Sequence, residues 1–453
     1  MSRTVLTRRR FLKTVGFGVL AAGYGGACTS QPAATNTSSG ATTTARGLKI
    51  LQQTHFVPAF DEWLDNEHAV AWGKDHNVTV TVDHLPLGEI YSKAAAEAAA
   101  RAGHDIVGFV APPAVFEGEV VDVADVVSAL EDRLGPMSPL AKSSCYNPKT
   151  QKWIGVPDFW TPCPTVWRQD LWNEVEPGAN PSTWDDVLRV GRKLKKAGHP
   201  LGIGLSADLD SNCALRGLLY AYGASVQDEA NRVVINSPQT IEALKMAAAL
   251  FKETMPPEVL AWSASSNNNF LLSGSGSLVF NAISVLRTIE KKKPDLAPNV
   301  MLAAFPSGPA QQLVPSNITN VYAIWRFSPN IELAKAFLID LIVNYGSAFS
   351  RSESYNLPAF PGSVKDLNAA LTQDSAAQPA DKYGLLVSAD QWSGNFGSPG
   401  TSNAAEMEVM DSFIIPKMFA LVAQDMLSAP DAARWAESAI TPIFEKWQGR
   451  GLI

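Results

Sequence analysis

From residue 48 onward the apolar positions follow two spacings in turn. Leu48-Lys49-Ile50-Leu51-Gln52-Gln53 reads as a strand, 60–74 repeats its apolar residues at helical spacing, and Val78-Thr79-Val80-Thr81-Val82 alternates every second position, as a half-buried strand does. The Ala-rich stretch 89–102 predicts a helix that stops at Gly103, a residue suited to the left-handed position past a helix C-terminus. Asp105-Ile106-Val107-Gly108-Phe109-Val110 then runs apolar, the pattern of a parallel strand buried on both faces. Strand, helix, strand, helix, strand in that order predicts an α/β unit.

Further helices announce themselves by their ends. Ser182 or Thr183 can cap a helix that begins at Trp184; Asp185 and Asp186 suit its first turn, and Arg192, Lys193, Lys195 and Lys196 suit its last before Gly198. Trp184, Val187, Leu188, Gly191 and Leu194 share one face, so Trp184 is expected in the core. Residues 201–205 read as a strand. Ser237 followed by Pro238 starts a third helix, and Asn330 starts a fourth over 331–343.

The first 28 residues have a different character. Thr7-Arg8-Arg9-Arg10-Phe11-Leu12-Lys13 resembles a twin-arginine export signal at every fixed position, and the uncharged run 14–27 that follows is shorter than the roughly 20 residues needed to span a bilayer. Residues 1–27 therefore read as a signal peptide. Gly26-Ala27-Cys28 resembles the end of a lipoprotein cleavage box, although Gly25 stands where that box usually has Leu. Cys28 is accordingly either the lipidated first residue of the mature chain or a residue near an ordinary cleavage site. Residues 29–46 are almost all Ser, Thr, Ala, Gly, Pro, Asn and Gln, so 28–46 is expected to be a lipid-anchored Cys with a flexible linker.

Charge then narrows the partners. The whole chain carries −7; the leader holds five bases (Arg3, Arg8, Arg9, Arg10, Lys13) and no acid, so the rest carries −12. An acidic surface argues against nucleic acid. Six histidines and four cysteines offer neither metal-ligand spacing nor Cys-x-x-Cys, and no haem, iron–sulfur or phosphate-loop motif occurs. No metal, no cofactor and no catalytic residue are expected.

Several segments, in order, carry a resemblance. These are Gln52-Gln53-Thr54-His55-Phe56, Gly103-His104-Asp105-Ile106-Val107, Ile154-Gly155-Val156-Pro157, Val166-Trp167-Arg168-Gln169-Asp170-Leu171-Trp172, Pro181-Ser182-Thr183-Trp184-Asp185-Asp186, residues 270–279, and Ala304-Phe305-Pro306-Ser307-Gly308-Pro309. Together they resemble the family 1 extracellular solute-binding proteins, the maltose-binding-protein-like receptors of ABC importers. Two places depart from it: Trp167-Arg168 stands where the family has Tyr-Tyr, and Asn281-Ala282-Ile283-Ser284 where many sugar-binding members have a Trp. The resemblance implies a two-lobed periplasmic-binding-protein fold of α/β class, type II-like, with a ligand cleft between the lobes. Lobe one would comprise 47–156 plus 306–344, and lobe two 157–305 plus 345–453. It further implies a monomer outside the cytoplasm that hands a small solute, of carbohydrate type, to the transmembrane subunits of an ABC permease. Of the remaining cysteines, Cys163 and Cys213 fall in one expected lobe and are the favoured disulfide; buried free thiols, with Cys145, are the alternative.

A sugar presents hydroxyls that donate and accept, and C–H faces that stack on rings, so its site needs aromatics beside carboxylates and amides. The loop candidates are His55 and Phe56 after the first strand, Phe109 at the third, and Asp158 and Trp160 at the first crossing. Asp208, Asp210 and Asn212 follow the strand at 201–205; Trp262, Asn267 and Asn268 form the most ligand-like run; Asn281 and Trp392 complete the set. Each has a structural alternative: aromatics also fill cores, Asp and Asn also cap helices, and His55 is favoured for a structural hydrogen bond. Two other functions fit the same residues, namely a receptor of this fold for a non-sugar solute such as a polyamine, and an exported glycan-active enzyme with paired carboxylates.

Overall fold

The computed structural model describes residues 46–453. Arg8, Arg9 and Cys28, with the leader and most of the linker, lie outside the described residues. Two sheets organise the chain. Their strands are β1 Arg46–Gln53, β2 Val78–Leu85, β3 Ile106–Phe109, β4 Val156–Thr161, β5 Thr165–Arg168, β6 Leu201–Gly202, β7 Leu278–Phe280, β8 Val300–Ala303, β9 Ile318–Ile324 and β10 Leu357–Pro358. The larger sheet has six strands in the order β10-β4-β9-β3-β1-β2, and the smaller has four in the order β8-β5-β7-β6. β1 pairs in parallel with β2 and β3, whereas β9 runs antiparallel between β3 and β4.

Local signals were translated faithfully where one face of an element meets the core. The helix Trp184–Lys196 is capped by Thr183, whose Oγ1 accepts from Asp186 N at 3.0 Å, and Trp184 is buried. Ser237 caps Pro238–Thr254 through Thr240 N at 3.2 Å, and Ile331–Val343 spans the expected residues. The helix expected over 60–74 runs from Pro58 to His76 with a π turn at Leu64–His68.

Three expectations need correction. The residue in the left-handed region after Ile90–Ala100 is Arg101, at φ 52°; Gly103 sits at φ 148°, where a Cβ would lie 2.3 Å from the buried Glu97 side chain. The strand expected over 201–205 keeps only Leu201–Gly202. Cys163 and Cys213 form no bridge: both are buried free thiols, as is Cys145.

The lobe boundaries also move. β4 is buried at every residue and hydrogen-bonded into the larger sheet, so the first crossing comes after it, at Pro162-Cys163-Pro164, rather than at Val156. The return crossing lies between β8 and β9. The last crossing falls well after Asn344, because Tyr345–Arg351 packs on Pro58–Trp63 and β10 pairs with β4 in the larger sheet. The C-terminal helices Ile414–Ala423 and Ala429–Gly449 then pack on Pro238–Thr254 in the second lobe. Among the described residues no helix is long and apolar enough to cross a membrane.

Candidate functional site

The loops that leave β1, β2 and β3 at their carboxyl ends face the start of the helix Leu209–Ala221 and the Trp262 loop of the other lobe. Between them lies a cleft of about 800 Å³, within the range of small-molecule sites. Lobe one contributes His55, Phe56, Leu87, Tyr91 and Val110; lobe two contributes Asp208, Leu209, Asn212 and Trp262. Adjoining recesses bring in Asp210, Asn267, Asn268 and Asn281, together with Asn317 and Tyr355.

Hydrogen bonding separates scaffold from free surface. Asp208 caps its helix: one oxygen accepts from Ser211 N at 3.1 Å, the other from Ser206 Oγ at 2.6 Å and Ser211 Oγ at 2.5 Å. Asp210 is held by two amides, Asn267 Nδ2 and Asn317 Nδ2, each at 2.7 Å. Burial, then the neighbouring Asp208, pushes the Asp210 carboxyl up to about 7. Because Asn317 lies on the crossing that leads into β9, this carboxyl ties lobe two to the hinge. Asn281 donates to Asn268 Oδ1, which orients that edge of the recess.

His55 has both ring nitrogens engaged, Nδ1 with the backbone of Val57 and Nε2 with Asn356 Oδ1, each at 3.0 Å. Burial pushes it down to about 4, so it is neutral at physiological pH and shapes the cleft wall without contributing charge. Phe56 is the reverse, 39% exposed at the mouth. The Trp262 ring packs against Phe270 at 5.2 Å and over Gly202, where a Cβ would come within 2.4 Å of the indole. Gly202 is therefore required for that close approach.

Four expected residues sit away from these cavities. Phe109 is fully buried among Tyr91, Phe116 and Trp325 in the core of lobe one. Trp160 is buried on β4 and Trp392 beside the strand Ser393–Gly394. Asp158 is buried on β4 and accepts from Asn320 Nδ2 of β9 at 2.7 Å, joining the two strands that feed the crossings. In each case the strand or turn presents the side chain to the protein interior, a choice that a uniformly apolar run does not encode. Conversely, Tyr91, Asn317, Tyr355, Asp411 and Phe413 reach the site from segments with no local signal of their own.

Asp158 yields a test of its own burial. Burial raises its carboxyl from 3.8 to about 7, against the opposing hydrogen bonds from Asn320 and the backbone. The folded state therefore holds a proton that the unfolded chain has released between those values, and its contribution to stability is lost as pH rises from about 4 to about 7. Asp158→Asn, neutral at every pH, is expected to raise the melting temperature at about pH 8 and to converge with the parent near about pH 4. Parallel melting curves across that range would contradict a buried, protonated Asp158.

A second hollow, of about 550 Å³, lies against Arg287. Its guanidinium is already spent on Glu353 O at 2.8 Å, Glu290 at 3.1 Å and Asp374.

The sequence profile described as "Bacterial extracellular solute-binding protein" matches residues 54–339, well over half of the chain. This chain belongs to that family. Solved structures with the same two-lobed fold include a sugar transporter from Arthrobacter chlorophenolicus A6 with bound laminaribiose, at 14% identity and a TM-score of 0.73, covering 87% of this chain and 99% of that one. A maltose-bound MalE3 of T. maritima is 18% identical, with a TM-score of 0.73 and coverage of 88% and 99%. An ABC substrate-binding protein from Listeria monocytogenes in complex with cycloalternan is 15% identical, with a TM-score of 0.71 and coverage of 88% and 98%. A curated relative, a "Probable ABC transporter-binding protein" of Deinococcus radiodurans, is 22% identical over 171 residues; the match spans 35% of this chain and 40% of that relative. For a solute-binding protein the inter-lobe cleft is the site to consider, and it is where most of the expected residues meet.

Proposed function

We propose that this solute-binding protein is an extracytoplasmic receptor that closes on a sugar or oligosaccharide and delivers it to an ABC permease, moored to the membrane through Cys28. The observation that carries the reading is the cleft of about 800 Å³ whose two walls belong to different lobes and combine aromatic rings with amides and carboxylates. The sugars bound in structures sharing this fold support it. A ligand touching both walls binds the closed form better than the open one, and that differential affinity shifts the hinge population toward closure. Proline on both sides of Cys163 limits the backbone freedom of the first crossing, which favours a defined hinge over a floppy link. No step needs covalent chemistry, so the activity is binding and release.

The test is a thermal-melt screen of the exported chain against neutral sugars, oligosaccharides, polyols, amines and amino acids. Ligand at about a hundred times its Kd should add about 2.7 kcal/mol to stability and raise Tm. A response to amino acids alone, with no sugar active, would end the carbohydrate reading.

A further inference from the structure

The end of the cleft formed by the turn Met410–Phe413 has acceptors and lacks donors. Asn212 is 1% exposed; its Nδ2 donates to Met410 O at 3.1 Å, while its Oδ1, buried at the cleft wall, has no hydrogen-bond partner. Beside Met410, the Asp411 side chain opens into the same cleft from the end of the helix Ala404–Asp411. Asp411 is open to solvent; neighbouring protein, and then Glu408, push its carboxyl up to about 6. Tyr91, across the cleft, has its hydroxyl hydrogen committed to Ala111 O at 2.7 Å, so it offers this end no donor. Among the residues that line the cleft and its recesses the carboxylates are Asp208, Asp210 and Asp411, and no Lys or Arg faces them.

An ammonium carries three donors and no acceptor, whereas a hydroxyl brings one donor and two lone pairs that would then need donors of their own. Apolar walls such as Leu87, Val110 and Leu209 concentrate the field of the acids and disfavour an anionic solute.

We propose that the cleft takes a glycan bearing a free primary amine, held as ammonium between the Asp411 carboxylate and Asn212 Oδ1, with Asp411 as the specificity-determining residue. The proposal rests on the receptor reading above and names the class of sugar that the receptor selects.

The test uses the full exported chain and three disaccharides of one linkage: β-1,4-linked glucosamine, its N-acetylated counterpart, and cellobiose. The free-amine disaccharide should bind about tenfold or more tighter than the other two, and Asp411→Asn should remove that preference without lowering the unliganded melt. If cellobiose or the acetylated sugar binds as well as the amine, or if Asp411→Asn keeps the preference, the amine proposal fails and the sugar receptor stands. If no saccharide binds and a simple diamine does, both fail together.

Discussion

Arg216→Ala is expected to cost about 3–5 kcal/mol of folding stability, the effect of stranding one half of a buried ion pair. Arg216 and Glu406 are 0% and 1% exposed as side chains, joined by an Nη1 to Oε2 bond of 2.8 Å, and the same Nη1 donates to Phe396 O at 2.8 Å. Arg216 Nε and Nη2 and Glu406 Oε1 have no further partner, so the pair is not a fully satisfied network. Its net contribution is therefore modest, and the large cost comes from leaving the Glu406 carboxylate alone in the core. The double replacement Arg216→Met with Glu406→Leu should recover most of the loss, because neither charge is then buried. Urea-unfolding midpoints of the parent and the two variants decide it; a single variant within about 0.5 kcal/mol of the parent would show the pair to be dispensable. The pair matters to function as well, since it fastens the helix Leu209–Ala221 to Ala404–Asp411, and the ends of both helices reach the cleft.

Trp262→Ala should cost about 2–3 kcal/mol of ligand affinity, a weakening of roughly 30- to 150-fold, as for a large aromatic anchor in a binding site. The ring is half-buried, braced by Phe270 on one side and by the bare backbone of Gly202 beneath, so its open surface is the part that faces ligand. Because the brace survives the truncation, the unliganded melt should fall far less than the affinity. Calorimetric titration with whichever sugar raises Tm measures the loss. An unchanged Kd would place the stacking surface elsewhere, with Phe56 as the next aromatic at the mouth.

How far the chain could be read without its structure varies element by element. The Pro238–Thr254 helix was legible to its cap, Ser237, and the Trp184–Lys196 helix to within one residue of its cap, Thr183, because these hydroxyls satisfy local N–H groups and the apolar stripe repeats at helical spacing. The lobe crossings were misplaced, because β4 belongs to a sheet by virtue of β9, whose partnering residues lie some 160 positions away, as the Asn320–Asp158 bond illustrates. In the candidate site, the run 262–268 and the Asp208-x-Asp210-x-Asn212 spacing pointed to loops that line the cleft and its recesses, since polar residues after strand ends seldom have a core to enter.

Phe56 and Phe109 mark the limit. Both are aromatic residues at or just beyond a strand, yet one is open at the mouth of the cleft and the other is sealed beneath it. The sequence by itself determined the α/β class, the family and most of the loops that meet, because periodicity, capping and short motifs act over a few residues. The tertiary structure alone decided where the lobes divide, which carboxylates are already satisfied, and that Asp411 closes one end of the cleft opposite Tyr91. Those outcomes depend on burial and hydrogen-bond partners contributed by distant strands and helices, and no local pattern carries that information.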